Sequence, residues 1–239
     1  MDFPKARRKW KKSQKSEMKT FDHAFVSLND QIESVETPNG RRYRTPDGIL
    51  PSVTTVTGWK KRAFFAKWRR ENPEESKRVL SRGTKLHALI ETYLRNSLTP
   101  TTLAEAEGTS EADLFASMRE DIDRIGKIYA IEVPLWSKKV GLAGRTDCIG
   151  EFDGVPSVID FKSSNYPKSE DAIQDYFMQA TAYSLMWQDR TGQELRNIAI
   201  LIGVEDGGSQ VFTADPREYI ADLVDAIRTY REEQAVQIS

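Results

Sequence analysis

Two stretches, Gly141-Leu142-Ala143-Gly144-Arg145-Thr146-Asp147 and Val158-Ile159-Asp160-Phe161-Lys162, decide how this chain is read, and Asp153-Gly154 between them supplies the reason. An Asp-Gly pair flanked by apolar and β-branched residues is the strongest short signal for a two-residue hairpin turn. With Phe152 facing Val155 across that turn, counting back along both strands sets Asp147 opposite Asp160. Opposed residues leave the same sheet face with Cβ atoms roughly 4.5–5.5 Å apart. Lys162 shares the face, because strand side chains repeat every second residue. Two carboxylates that close repel unless a proton or a cation lies between them.

A divalent metal meets that need. Mg2+ (or Mn2+) prefers carboxylate, carbonyl and water oxygens, so Asp147 and Asp160 are expected to bind through their side chains and Phe161 through its backbone carbonyl. Beside such an ion, the Lys162 ammonium could position a water or offset charge growing on a phosphate. Its alternative is a plain salt bridge to either aspartate.

Working outward, Ala130–Trp136, Leu142–Phe152 and Val155–Phe161 read as a three-strand antiparallel meander. Residues 21–56 read as short strands and turns, with Asn39-Gly40 and Asp47-Gly48 as turn signals and Pro51-Ser52-Val53-Thr54-Thr55-Val56 as their last run. Trp59–Arg70 reads as a helix. It mixes Lys60, Lys61, Arg62, Lys67, Arg69 and Arg70 with Trp59, Phe64, Phe65 and Trp68, which suits a surface that tracks a backbone and stacks bases; the plainer reading buries the aromatics and solvates the cations. Pro73 opens a second helix reaching about Leu94, on which His87 and Glu91 share one face. Asn96–Asp113 reads as a loop or mobile cap, and the spacing of Phe115, Met118, Ile122, Ile125 and Tyr129 predicts a helix over 114–129. A helix from Pro167–Asp171 to about Asp189 places Gln179 and Tyr183 together. Strands over 198–204 and 210–213 and a helix over 215–234 complete the chain.

The 239 residues are 38% hydrophobic and 30% charged, the composition of a water-soluble globular protein. No run approaches the roughly 18 apolar residues of a membrane span. The single cysteine, Cys148, permits neither an internal disulfide nor an iron-sulfur cluster. Residues 1–19 hold eight basic side chains against Asp2 and Glu17, leaving 27 basic and 34 acidic groups for the rest of the 35 and 36 in the chain. A basic arm over 1–20 on a mildly acidic single domain (21–239, with a cap around 59–113) suggests a polyanion partner. The other readings are a solvated tail and an organelle-targeting segment.

The ordered motifs resemble the PD-(D/E)XK nuclease superfamily, in particular its RecB-like exonuclease branch, which includes phage exonucleases and mitochondrial genome maintenance exonucleases. The resemblance spans about Pro51 to Tyr183. It rests on Pro51–Thr55, on Arg82-Gly83-Thr84-Lys85-Leu86-His87 with Glu91, on Gly144–Asp147, on Asp160–Lys162 and on Gln179-Ala180-Thr181-Ala182-Tyr183. It implies an α/β, restriction-endonuclease-like core: a central mixed β-sheet with an antiparallel meander, flanked by helices. Asp147 and Asp160 would bind metal, Lys162 would be the catalytic lysine, Glu91 would help hold a metal or its water, and His87 would be an additional ligand. Gln179 and Tyr183 match a Gln-x-x-x-Tyr signature beside the lysine; helical packing is their other reading. Ser52, Thr54 and Thr55 would contact DNA phosphates or else form an ordinary strand, and Lys60, Lys61, Arg62, Trp68 and Arg145 are the remaining DNA-contact candidates.

The activity implied is that of a magnesium-dependent deoxyribonuclease, a single-strand-preferring exonuclease of DNA replication, recombination or degradation. The alternatives are a site-specific or structure-specific endonuclease and an inactive DNA-binding module. Expected partners are single-stranded DNA or DNA ends and replication or recombination proteins, with no membrane and no iron-sulfur cluster, in a bacterial or virus-infected cytoplasm rather than a mitochondrion. The sequence departs from the pattern at Ile159, where the superfamily's name has proline, and it carries no phosphate-binding helicase loop.

Overall fold

Two sheets carry the chain, and the smaller comes first. In the computed structural model, which describes residues 18–28, 31–205 and 207–236, β1 (Glu33–Thr37), β2 (Gly40–Thr45) and β3 (Gly48–Pro51) form an antiparallel three-strand sheet. The predicted turns are there, shifted by one residue: Thr37 pairs with Gly40 and Thr45 with Gly48, so Pro38-Asn39 and Pro46-Asp47 are the two-residue loops. The run after Pro51 is not a strand. Val53–Thr57 forms a short helix, α1, whose Val53 and Val56 are buried; β-branched propensity yields here to packing against the helical layer.

A 3₁₀ turn at Trp59–Lys61 leads into α2 (Arg62–Glu71), and Pro73 at the first turn opens α3 (Pro73–Leu94), as expected. The segment expected to be a loop or mobile cap instead holds α4 (Pro100–Ala106) and the start of α5 (Ser110–Ile122), each N-capped by a threonine, Thr99 and Thr109. Leu98, Leu103 and Ala112 are buried there, and Lys85 pairs with Glu111, so this segment is built into the helical layer. The helix expected to run to Tyr129 stops at Ile122, because Ile125 and Ile128 belong to β4 (Ile125–Ser137), where pairing with the next strand overrides the helical spacing.

β5 (Leu142–Phe152) and β6 (Val155–Ser164) follow, joined by Asp153-Gly154 with φ of +50° and +79°, the type I′ turn an Asp-Gly pair favours. α6 (Gln174–Thr191) crosses over to β7 (Asn197–Val204), which pairs parallel to β6, and β8 (Gly208–Ala214) returns antiparallel. A capping box, Asp215 with Glu218, precedes α7 (Ile220–Val236).

The larger sheet therefore runs β4-β5-β6-β7-β8, mixed, with helices on both faces. The side of α6, α7 and α1 is packed by residues such as Phe177, Trp187, Ile149, Val158 and Ile200. The side of α3 and α5 is packed by Leu86, Phe115, Met118, Ile159 and Leu201. β7, covered on both sides, is buried from Ile198 to Val204, the pattern of a parallel strand in a sandwich of helices. Residues 21–28 close the outer edge of β4: Ala24 and Val26 donate to the carbonyls of Ile128 and Tyr129 at 2.8 and 2.9 Å. Most of the basic arm, residues 1–17, lies outside the described residues. Lys19 is described, and its ammonium donates to the carbonyls of Asp123 and Ile125, an anchoring task. No helix among the described residues is long and apolar enough to cross a membrane.

Candidate active site

The expected register holds from Phe152↔Val155 to Cys148↔Ile159, where the regular pairing stops. One step further along, Asp147 and Asp160 stand in the mouth of the fork between β5 and β6. Asp147 Oδ2 accepts the amide of Phe161 at 2.9 Å, closing the fork with a side chain where the ladder has ended. Asp160, 2% exposed, accepts Gln179 Nε2 through Oδ1 at 3.1 Å and forms a close ion pair with Lys162 through Oδ2. Burial pushes the Asp160 carboxyl up from its ordinary range, and Asp147 adds to the push while Lys162 opposes it. Burial would lower Lys162, but the two aspartates outweigh it and keep the ammonium charged.

From the other side of the sheet, α3 delivers His87, whose Nδ1 lies 3.6 Å from Asp147 Oδ1. Glu132 of β4 completes the group: one ligand atom each from His87, Glu132 and Asp147 lie within 4.8 Å of one another, all three residues half-buried. Sequence reasoning missed Glu132. Its place follows from the ladder, in which Ile131↔Cys148 and Val133↔Thr146 leave Glu132 to face Asp147. Its φ of +53° falls in the left-handed region, which non-glycine residues adopt at a cost. Desolvation, then the charge of Asp147, raises its carboxyl to about 7. Tyr176 was also missed; its ring centroid lies 5.2 Å from Lys162 Nζ.

Glu91 pairs with Arg95 at 2.9 Å, one turn along α3 from His87, and is not in the clustered group. Tyr183 is buried against Gly144, where an added Cβ would lie 2.8 Å from its hydroxyl and 3.0 Å from Cε1. This close approach is the physical need for glycine in Gly144-Arg145-Thr146-Asp147. Arg145 is exposed and donates to the Glu132 carbonyl at 2.9 Å, bracing the strand that carries Glu132. Buried Arg82 donates to Glu205 and Asn165, both at 2.8 Å, and Asn165 donates to Glu75, fastening α3 to the ends of β6 and β7.

The DNA-contact candidates divide. Ser52 is 2% exposed and shares its hydroxyl with Thr54 at 2.9 Å, so it is closed to a phosphate, whereas Thr54 is exposed; Thr55 donates to the Arg41 carbonyl. Lys60 and Lys61 are engaged by Asp225 and Asp175, and Arg62 lies over the Trp59 ring at 3.9 Å. Trp59 is buried and Trp68 half-buried, as the plainer reading of this segment has it, but Phe64 and Phe65 are 66% and 44% exposed and depart from it.

The family model of the PD-(D/E)XK nuclease superfamily matches residues 60–237. The chain belongs to that superfamily. It has the mixed sheet and flanking helices of that fold. Among solved structures, a protein from Eubacterium rectale described as "Putative exonuclease" is similar at 9% identity and a TM-score of 0.42, over 64% of this chain and 65% of that one. SSO0001 is similar at 15% identity and a TM-score of 0.29, over 61% of this chain and 74% of that one. No curated protein matches the chain significantly.

Members of this superfamily typically depend on a divalent metal, and one imidazole with two carboxylates is a donor set that suits it. His87, Glu132 and Asp147 would hold the ion, with Asp160 across the fork. The ion would supply Lewis acidity, acidifying a bound water and offsetting phosphate charge.

Proposed function

We propose that the protein is a magnesium- or manganese-dependent deoxyribonuclease that degrades single-stranded DNA from its ends. The observation that carries this reading is the fork itself: Asp147, Asp160 and Lys162 on one sheet face, with His87 and Glu132 reaching Asp147 from two other elements. Asp147, His87 and Glu132 would hold the divalent ion, which would supply positive charge for a phosphate. Lys162, clamped between Asp160 and the Tyr176 ring, presents a fixed ammonium to the phosphate oxygens, and Gln179 fixes the Asp160 carboxylate that aims it. The preference for unpaired DNA is supported by the exposed phenylalanines of α2. The preference for ends rests on the resemblance to RecB-like exonucleases.

Linear and closed circular single-stranded DNA, each with magnesium, with manganese and with EDTA, form the test. Metal-dependent loss of the linear strand with survival of the circle is the expected result. Rapid cutting of the circle would replace the exonuclease with an endonuclease, and hydrolysis undiminished by EDTA would remove the metal.

A further inference from the structure

We propose that Phe64 and Phe65 of α2, Leu80 of α3 and Tyr166 after β6 form an apolar rim at the mouth of the cleft, against which the bases of an unpaired DNA strand stack. This deepens the reading above and rests on it. Phe64, Phe65, Leu80 and Tyr166 are 66%, 44%, 64% and 74% exposed, although each is a large apolar or aromatic side chain. Phe64 and Phe65 lie edge to face at 5.4 Å, and α2 has no buried residue among its ten.

Both ends of α2 are anchored beside Lys162. At one end Lys61 donates to Asp175 at 2.7 Å and to the Ala172 carbonyl at 3.1 Å, and the next residue, Tyr176, is the one against Lys162. At the other end α3 begins, and Glu75 accepts from Asn165, three residues beyond Lys162 and next to Tyr166. Leu80 precedes His87 by seven residues, so it shares that helical face about two turns, roughly 10 Å, toward α2. These contacts set α2, the start of α3 and Tyr166 beside the elements that carry Lys162 and its Tyr176 neighbour.

Charge selects the occupant. α2 carries Arg62, Lys67, Arg69 and Arg70 against Glu71 alone, and all four cations are exposed beside the rings. Apolar rings interleaved with cations match a strand whose bases present flat faces and whose backbone is anionic. Paired bases keep those faces stacked inside the duplex, so the rim discriminates by strand state rather than by sequence.

An oligodeoxynucleotide containing 2-aminopurine, titrated in EDTA so that nothing is hydrolysed, reads stacking directly as fluorescence quenching. The wild-type chain is expected to quench it. The Phe64→Ala/Phe65→Ala and Tyr166→Ala variants should lose quenching and weaken binding by about five- to 150-fold per base unstacked, whereas Tyr166→Phe and Phe64→Tyr should keep both. Unchanged quenching in the alanine variants overturns the rim, as does an equal loss of affinity for blunt duplex. A dimer in the wild type that Phe64→Ala/Phe65→Ala dissolves assigns the face to a second copy and overturns it too. Quenching without any metal-dependent hydrolysis would leave the rim standing and remove the nuclease activity.

Discussion

The fork and α2 lie side by side yet obey opposite rules. In the fork, polar groups are buried or half-buried and set in place: Asp160 by Gln179 and Lys162, Asp147 by the Phe161 amide, and Glu132 through its backbone carbonyl by Arg145. On α2, apolar groups are exposed and none of the ten residues is buried. Burying charge and exposing rings both cost stability, the first through desolvation and the second through lost burial. On the function proposed above, a chain that accepts both costs puts geometry where bonds would be broken and adhesiveness where a strand would arrive.

The sharpest way to break this contrast is at the fork. Asp160→Ala and Lys162→Ala are each expected to lower hydrolysis of end-labelled single strands by about a thousandfold or more, with retention of the strand on gels; near-normal turnover in either would move the active site elsewhere. Next comes Gly144→Ala, whose new Cβ meets Tyr183, a side chain with no room to retreat. Overpacking of this kind costs about 1–3 kcal/mol, read by denaturant melting, and Tyr183→Phe in the same chain should recover part of it. Full stability in Gly144→Ala would show that the ring yields.

A smaller effect is expected at the start of α3. Hydrogen bonds from Arg78 and then Asn165 lower the Glu75 carboxyl from 4.5 to about 2. A depressed carboxylate contributes stability that is present above its unfolded value and lost as pH falls from about 4.5 to about 2. Glu75→Gln should flatten the acid limb of the stability curve in that window, and an identical limb would unlink Glu75 from the anchoring of α3. Smallest of all, Arg69→Ala and Arg70→Ala should change stability by no more than about 0.5 kcal/mol, yet each should reduce the salt slope of DNA binding by about one. Isothermal binding at several salt concentrations checks this, and an unaltered slope would take these cations off the strand's path.

The hairpin was legible because its register follows from one dipeptide: Asp153-Gly154 admits one turn type, and with it Asp147 and Asp160 are placed to within a residue. Pro73 and the run to Leu94 were legible for the same reason, a local signal with one meaning. The helix expected over 114–129 failed because Ile125 and Tyr129 satisfy a helical spacing and a strand equally, and only β5, residues away, chooses. Glu132 escaped for a related reason. Its role depends on the four-residue loop between Ser137 and Leu142, whose length sets the register but carries no decisive turn signal. The exposure of Phe64 and Phe65 could not be read from spacing at all, since an amphipathic helix looks the same whether or not anything packs on its apolar side.

The parallel pairing of β6 with β7 also sets a timetable. Asp160 and Lys162 are translated some forty residues before Val204, so while the chain is being made β6 lacks its inner neighbour and Gln179 has no finished wall from which to hold Asp160. On the proposed function, cleavage competence would await the making of β7, and a ribosome holding a copy cut short before Val204 would hold an unarmed one.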